Sequence, residues 1–181
     1  MKTERIVITG GPGSGKTALI KHLEDQGHQV MHEISREVTL QAQKEGIEQL
    51  FLENPMLFSE KLLEGRLKQF REGENRHAET LFYDRGMPDV TAYMDFMNIH
   101  YPENFSETCN TYRYDKVFVL PPWKEIYEQD NERYESFEQA EELFNFLKNS
   151  YEYYGYNTYE VPVGSIKERA EYILEKVKDT F

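Results

Sequence analysis

Apolar positions fall into short runs and stepped stripes that alternate along the chain. Arg5-Ile6-Val7-Ile8-Thr9 is a compact apolar run ending in glycines, which predicts a buried strand. From Gly15 the spacing turns helical, with Leu19, Ile20 and Leu23 on one face and Gly27 as the stop. His28 to Glu33, with Val30 and Met31, predicts a second strand, and Ser35 to about Leu52 reads as polar and largely helical. Pro55 opens a long amphipathic helix with Phe58, Leu62, Leu63, Leu67 and Phe70 at helical steps.

The alternation continues to the end of the chain. Thr80-Leu81-Phe82-Tyr83-Asp84 predicts a third strand, Pro88 to Met97 a helix, and Lys116-Val117-Phe118-Val119-Leu120 a fourth strand stopped by Pro121-Pro122. Phe137, Ala140, Phe144, Leu147 and Tyr151 mark another helix, Tyr156 to Val161 a fifth strand, and Ile166, Ala170, Ile173, Val177 and Phe181 a last helix. Strands alternating with helices predict an α/β fold of βαβ units with a parallel sheet and right-handed crossovers. The 181 residues suit one domain, spanning 1–181. The run Tyr151-Glu152-Tyr153-Tyr154-Gly155-Tyr156 reads as the end of one helix and the approach to the next strand.

Composition narrows the function classes. A net charge of −12 argues against a nucleic-acid or anionic-membrane binder, which presents a basic face. The one cysteine, Cys109, excludes an intramolecular disulfide and fits a reducing, cytoplasmic setting. An apolar strand begins within five residues of Met1, which leaves no room for a signal peptide, and no apolar run reaches membrane-span length.

The strand-to-helix junction carries the strongest motif. Gly10-Gly11-Pro12-Gly13-Ser14-Gly15-Lys16-Thr17 satisfies GxxxxGK[ST], with Ala18 next on the helix. Glycines let backbone N–H groups turn toward phosphate oxygens, and the following helix aims its N-terminal dipole at the same place. Lys16 supplies a point charge for β- and γ-phosphates and Thr17 a hydroxyl for Mg²⁺, which makes ATP or GTP with Mg²⁺ the expected ligand.

Two carboxylates lie at the sheet edge where open α/β folds bind ligands. Asp84 ends the third strand and is the candidate second metal oxygen, with Arg85 next to it as a phosphate-binding side chain. Glu33 ends the second strand, a candidate base or hydrogen-bond acceptor for an acceptor hydroxyl, and Arg36 is a candidate grip on an acceptor phosphate or carboxylate. Beyond Pro121-Pro122-Trp123, a lid at about 122–136 would bring Arg133 over a transferring phosphoryl group.

With these residues assembled, the chain resembles the P-loop NTPase/kinase domains related to the nicotinamide riboside kinase domain of the bacterial NAD regulator. This AAA-type ATPase domain group also includes an animal GTP- and phosphoinositide-binding regulatory protein. The resemblance rests on Thr9 to Thr17, His32 to Glu37, Phe82-Tyr83-Asp84-Arg85-Gly86-Met87-Pro88-Asp89, Pro122-Trp123 with Ile126, Tyr127, Asp130 and Arg133, and Gly155-Tyr156 with Val161-Pro162. It implies a three-layer sandwich around a five-stranded parallel sheet of order 2-3-1-4-5. It also implies that Lys16, Thr17 and Asp84 serve ATP and Mg²⁺, with Arg133 in the lid.

Three activities follow as expectations. One is an ATP-dependent kinase of a small nucleoside-like or phosphate-bearing acceptor, with catalytic roles for Lys16, Glu33, Asp84, Arg85 and Arg133. Another is a regulatory ATP/GTP-binding module with slow hydrolysis and a protein or lipid partner; the missing Asn-Lys-x-Asp motif weakens a GTPase switch. A third is an ATPase that partners another protein, with the acidic helix over 136–154 as its interface, although packing on the sheet is the preferred reading of that helix; a homo-oligomer is a further open expectation.

Overall fold

In the computed structural model, which describes residues 3–127 and 136–179, the apolar runs form five parallel strands. These are β1 (Glu4–Gly10), β2 (Gln29–Met31), β3 (Thr80–Asp84), β4 (Lys116–Leu120) and β5 (Thr158–Glu160). Their order is β2-β3-β1-β4-β5, as the resemblance implies, so β3 and β4 flank a central β1. Helices α1 (Lys16–Asp25), α2 (Ser35–Lys44), α3 (Leu50–Glu53), α4 (Pro55–Glu72), α5 (Met87–Phe96), α6 (Glu103–Thr111), α7 (Phe137–Tyr153) and α8 (Ile166–Lys178) fill the connections.

Strand alternation builds two cores. Ile6, Ile8, Phe82 and Phe118 point to one face, where Leu19 and Leu23 of α1 and Ile173 and Val177 of α8 cover them. Val7, Leu81, Tyr83, Val117 and Val119 point to the other, beneath Leu62, Leu63 and Phe70 of α4, Val90 of α5 and Tyr151 of α7. Strands buried on both sides read as continuous apolar runs because neither face meets water. The acidic helix α7 packs inward through Ala140, Leu143, Leu147 and Tyr151.

Three expectations about elements are corrected. The helix read from Ser35 to Leu52 ends at Lys44, because Gly46 takes a left-handed φ of 90° and α3 starts anew at Leu50. The strands read over 28–33 and 156–161 are shorter, at Gln29–Met31 and Thr158–Glu160. A helix that the polar pattern hid, α6, buries only Phe105 and Cys109. No described helix is long and apolar enough to cross a membrane. Burial pushes the Cys109 thiol up to about 12, which leaves it a packing residue and an inert nucleophile.

Candidate functional site: a phosphate loop beside a charged cleft

β1 delivers the chain into the glycine loop, and α1 begins at Lys16. Gly13 and Gly15 adopt left-handed φ values of 71° and 75°. A Cβ on Gly13 would come within 2.1 Å of the Tyr127 ring, and one on Gly15 within 2.8 Å of the Arg169 guanidinium, so both conformation and space require glycine. Protein donors occupy three loop carbonyls. The Ser14 hydroxyl donates to Gly11 (2.8 Å), the Trp123 N–H to Gly13 (3.0 Å) and Arg169 Nη1 to Ser14 (2.8 Å). The backbone N–H groups of Gly13, Ser14 and Gly15 donate to no protein group among the described residues. Unclaimed donors at the start of α1 are the feature an oxyanion needs, so the loop fits a polyphosphate.

Lys16 Nζ pairs with Asp84 Oδ1 across the mouth of the loop. The strand register explains the meeting: Asp84 stands opposite Ile8 in β1, just before the chain turns into the loop. Burial lowers the Lys16 pKa and nearby Arg85 lowers it further, while the Asp84 carboxylate pulls the other way. Thr17 is exposed on the first turn of α1, with Ala18 beside it. A hydroxyl and a carboxylate are hard oxygen donors that suit Mg²⁺, and no group of three His, Cys, Asp or Glu residues among those described could hold a metal without substrate oxygens.

A cleft of about 230 Å³ opens next to this pair. Phe51, Phe58, Leu62, Val90, Tyr93 and Met97 line one part, and Glu33, Ser35, Arg66, Arg85 and Asp89 line the rest. Glu33 is held from several sides. Its Oε2 receives Arg85 Nε at 2.6 Å, its Oε1 receives Arg66 Nη2 at 3.2 Å, and Oε1 also accepts the N–H groups of Ile34 and Ser35 at the start of α2. Burial opposes its ionisation, but Arg66, Arg85, the Ser35 N–H and Lys16 together outweigh burial and bring its pKa down to about 2. Arg85 has a φ of 71°, a left-handed backbone that a non-glycine residue rarely takes and that turns its side chain from Asp84 toward Glu33. Burial works against the Arg85 charge, but Tyr93, Glu33, Asp89 and Asp84 together raise its pKa.

Asp89 anchors this cluster from below and is fully buried. It accepts hydrogen bonds from the Thr9 hydroxyl, the Tyr151 hydroxyl (2.5 Å) and the Gly86 N–H (2.9 Å), and contacts Arg85 Nη1 at 3.4 Å. Arg66 Nη1 donates to the Gly86 carbonyl at 2.9 Å, tying α4 to the Asp84-Arg85-Gly86 turn. Tyr151, from the tyrosine-rich run, therefore carries a polar contact as well as packing.

The structure brings Lys16, Glu33, Asp84 and Arg85 into one contiguous set. Arg36 is exposed on α2 and does not line the cleft, because Glu33 turns inward while the next helical face points to solvent. Arg133 and Asp130 lie outside the described residues. Sequence reading gave no role to Arg66, Asp89, Tyr93 or Arg169. A signal existed for two of them: Arg66 and Arg169 interrupt the apolar stripes of α4 and α8 with a charge.

No curated protein matches the sequence. Solved structures share the fold. A deoxyadenosine kinase from M. mycoides with products dCMP and dCDP has a TM-score of 0.70 at 19% identity, covering 97% of this chain and 99% of that one. The NadR protein in complex with NR has a TM-score of 0.70 at 16% identity, covering 98% of this chain and 50% of that one. NadR with NAD and AMP-PNP gives 0.68 at 17%, covering 97% and 49%. An AAA domain family model matches residues 5–169, nearly the whole described chain, and the protein belongs to that P-loop, nucleotide-binding family.

Proposed function

We propose that the protein is a Mg²⁺-dependent phosphotransferase that moves the γ-phosphoryl group of ATP to a hydroxyl of a small nucleoside-like or phosphate-bearing metabolite. One observation carries this reading: Glu33 links the two halves of the site. It lines the acceptor cleft and is bonded to Arg85, the residue after the Asp84 that pairs with Lys16. A plain nucleotide hydrolase has no need of a walled cleft with an oriented carboxylate beside its phosphate loop. The flat faces of Phe51, Phe58 and Tyr93 suit a planar base or pyridine, in keeping with the nucleotides and NR bound in the neighbouring structures.

The loop N–H groups and Lys16 hold the β- and γ-phosphates. Thr17 and Asp84 would hold Mg²⁺, whose charge would offset that of the phosphate oxygens. Lys16 would exchange its Asp84 partner for phosphate oxygens, which releases that carboxylate. Glu33 accepts the hydrogen of the acceptor hydroxyl and fixes the direction of its oxygen. An acid with a pKa of about 2 is always ionised near neutrality and is a weak base. That is adequate for a loose transition state, in which the hydroxyl proton leaves late. The new O–P bond forms as the bond to the ADP oxygen breaks, and the proton passes to Glu33. Arg85 and, on sequence grounds, Arg133 place positive charge beside the transferred group.

The test is ADP release from Mg-ATP against a panel of nucleosides and nicotinamide riboside. Fast release only in the presence of one acceptor class is expected. Glu33→Gln should lower kcat about 10²-fold while ATP affinity stays unchanged. Slow release indifferent to every acceptor would sink the kinase reading and fit a regulatory nucleotide-binding module instead.

A further inference from the structure

The loop is backed by a buried cation with no counter-charge among the described residues. Arg169, on α8, is 2% exposed. Its Nη1 donates to the Ser14 carbonyl at 2.8 Å and lies against the Cα of Gly15, directly behind the loop. Its Nε and Nη2 are buried with no hydrogen-bond partner, and no carboxylate pairs with it among the described residues. The acids beside it along α8 are engaged elsewhere, Glu168 with Ser165 and Glu171 with Lys167. The setting is hostile to a cation in another way, because α1 starts at Lys16 and presents the positive end of its dipole at the same spot. Burial lowers the Arg169 pKa and no neighbouring charge offsets it.

A buried unpaired charge costs stability, and a fold keeps one where a ligand completes the pairing. The other cation of the loop, Lys16, has Asp84 as a resident partner; Arg169 has no carboxylate partner among the described residues. We propose that Arg169 is a positioning residue whose counter-ion is the bound polyphosphate. It fixes the Ser14 carbonyl, and its charge acts on the phosphates across the loop backbone from a buried position, where screening is weaker than at the surface. The empty protein would then carry an electrostatic penalty that nucleotide binding removes.

The inference rests on the phosphate-loop reading, and its test separates the two. Melting temperature without ligand and affinity for Mg-ATP and for inorganic tripolyphosphate are measured for wild type, Arg169→Met, Arg169→Gln and Arg169→Lys. Met keeps the length and removes the charge; Gln keeps a donor for Ser14 without the charge; Lys keeps the charge. The expected result is a ligand-free melting temperature at or above wild type for Met and Gln. Both should bind Mg-ATP and tripolyphosphate at least tenfold more weakly, and Lys should recover most of that loss. Gln binding as tightly as wild type would reduce Arg169 to a hydrogen-bond donor and overturn the proposal. So would a lower melting temperature with unchanged affinity in both neutral variants, the mark of a structural strut. Wild type taking neither ATP nor tripolyphosphate would overturn this inference and the phosphotransferase reading together.

Discussion

The two halves of the site, the phosphate loop proposed to take the donor and the cleft proposed to take the acceptor, are built in opposite ways. The donor half is a contiguous stretch, Gly10 to Thr17, whose working groups are backbone N–H donors and one lysine. The acceptor half is assembled from distant parts: Glu33 after β2, Phe51 on α3, Phe58 and Arg66 on α4, Arg85 after β3, and Asp89 and Tyr93 on α5. Backbone donors come with the loop conformation itself, so a local motif specifies them. Side-chain charges in a cleft must be satisfied by one another, so they require a network: Glu33 between two arginines, Arg85 between Glu33 and Asp89, and Asp89 on Thr9 and Tyr151. Damage should stay local in the first half and spread in the second.

The largest expected effect is on the donor half. Lys16→Ala should lower turnover about 10³-fold and weaken Mg-ATP binding while leaving the fold intact, measured by initial rates and nucleotide titration. Unchanged affinity would remove the loop from the donor role.

Asp89→Asn should break the acceptor network at its base, at a cost of about 2–4 kcal/mol in denaturant unfolding. Nucleotide affinity at the loop should hardly move. A loss of both together would show that the halves are coupled through Thr9, which sits one residue before the loop and bonds to Asp89.

Glu33 gives the contrast a pH signature. Its pKa falls from 4.5 to about 2 on folding, so the unfolded chain takes up its proton first as the solution is acidified. The stability it contributes is complete above pH 4.5 and is lost as pH falls toward 2, about 3 kcal/mol in all. Urea unfolding of wild type and Glu33→Gln between pH 6 and 3 should converge as the wild type loses this advantage. Parallel curves would mean that Arg66 and Arg85 do not hold the carboxylate ionised.

The smallest effect is expected at Arg36. Exposed and outside the cleft, its change to alanine should alter acceptor KM by no more than about twofold and stability by less than about 0.5 kcal/mol. A tenfold rise in KM would extend the acceptor site along α2.

Much of the fold is legible because parallel strands covered on both faces leave an unbroken apolar run, as in Ile6-Val7-Ile8 and Val117-Phe118-Val119-Leu120. The helix α6 was not, since it buries only two side chains and so leaves no stripe. Asp84 and Glu33 could be found from strand ends. Arg66 and Arg169 could not be given roles, because a charge on an apolar stripe signals an unusual contact without naming the partner.

What the sequence by itself determined is the phosphate loop and the alternation of strands and helices around it, since both depend on neighbours within a few residues. Only the tertiary structure decided that Arg66 and Arg85 clamp Glu33, that Asp89 supports them and that Arg169 stands behind the loop with no carboxylate partner among the described residues. A charge reads its environment through space: the partners of Glu33 are 33 and 52 residues away along the chain, and only the register of β3 against β1 and β2 and the docking of α4 set their distances.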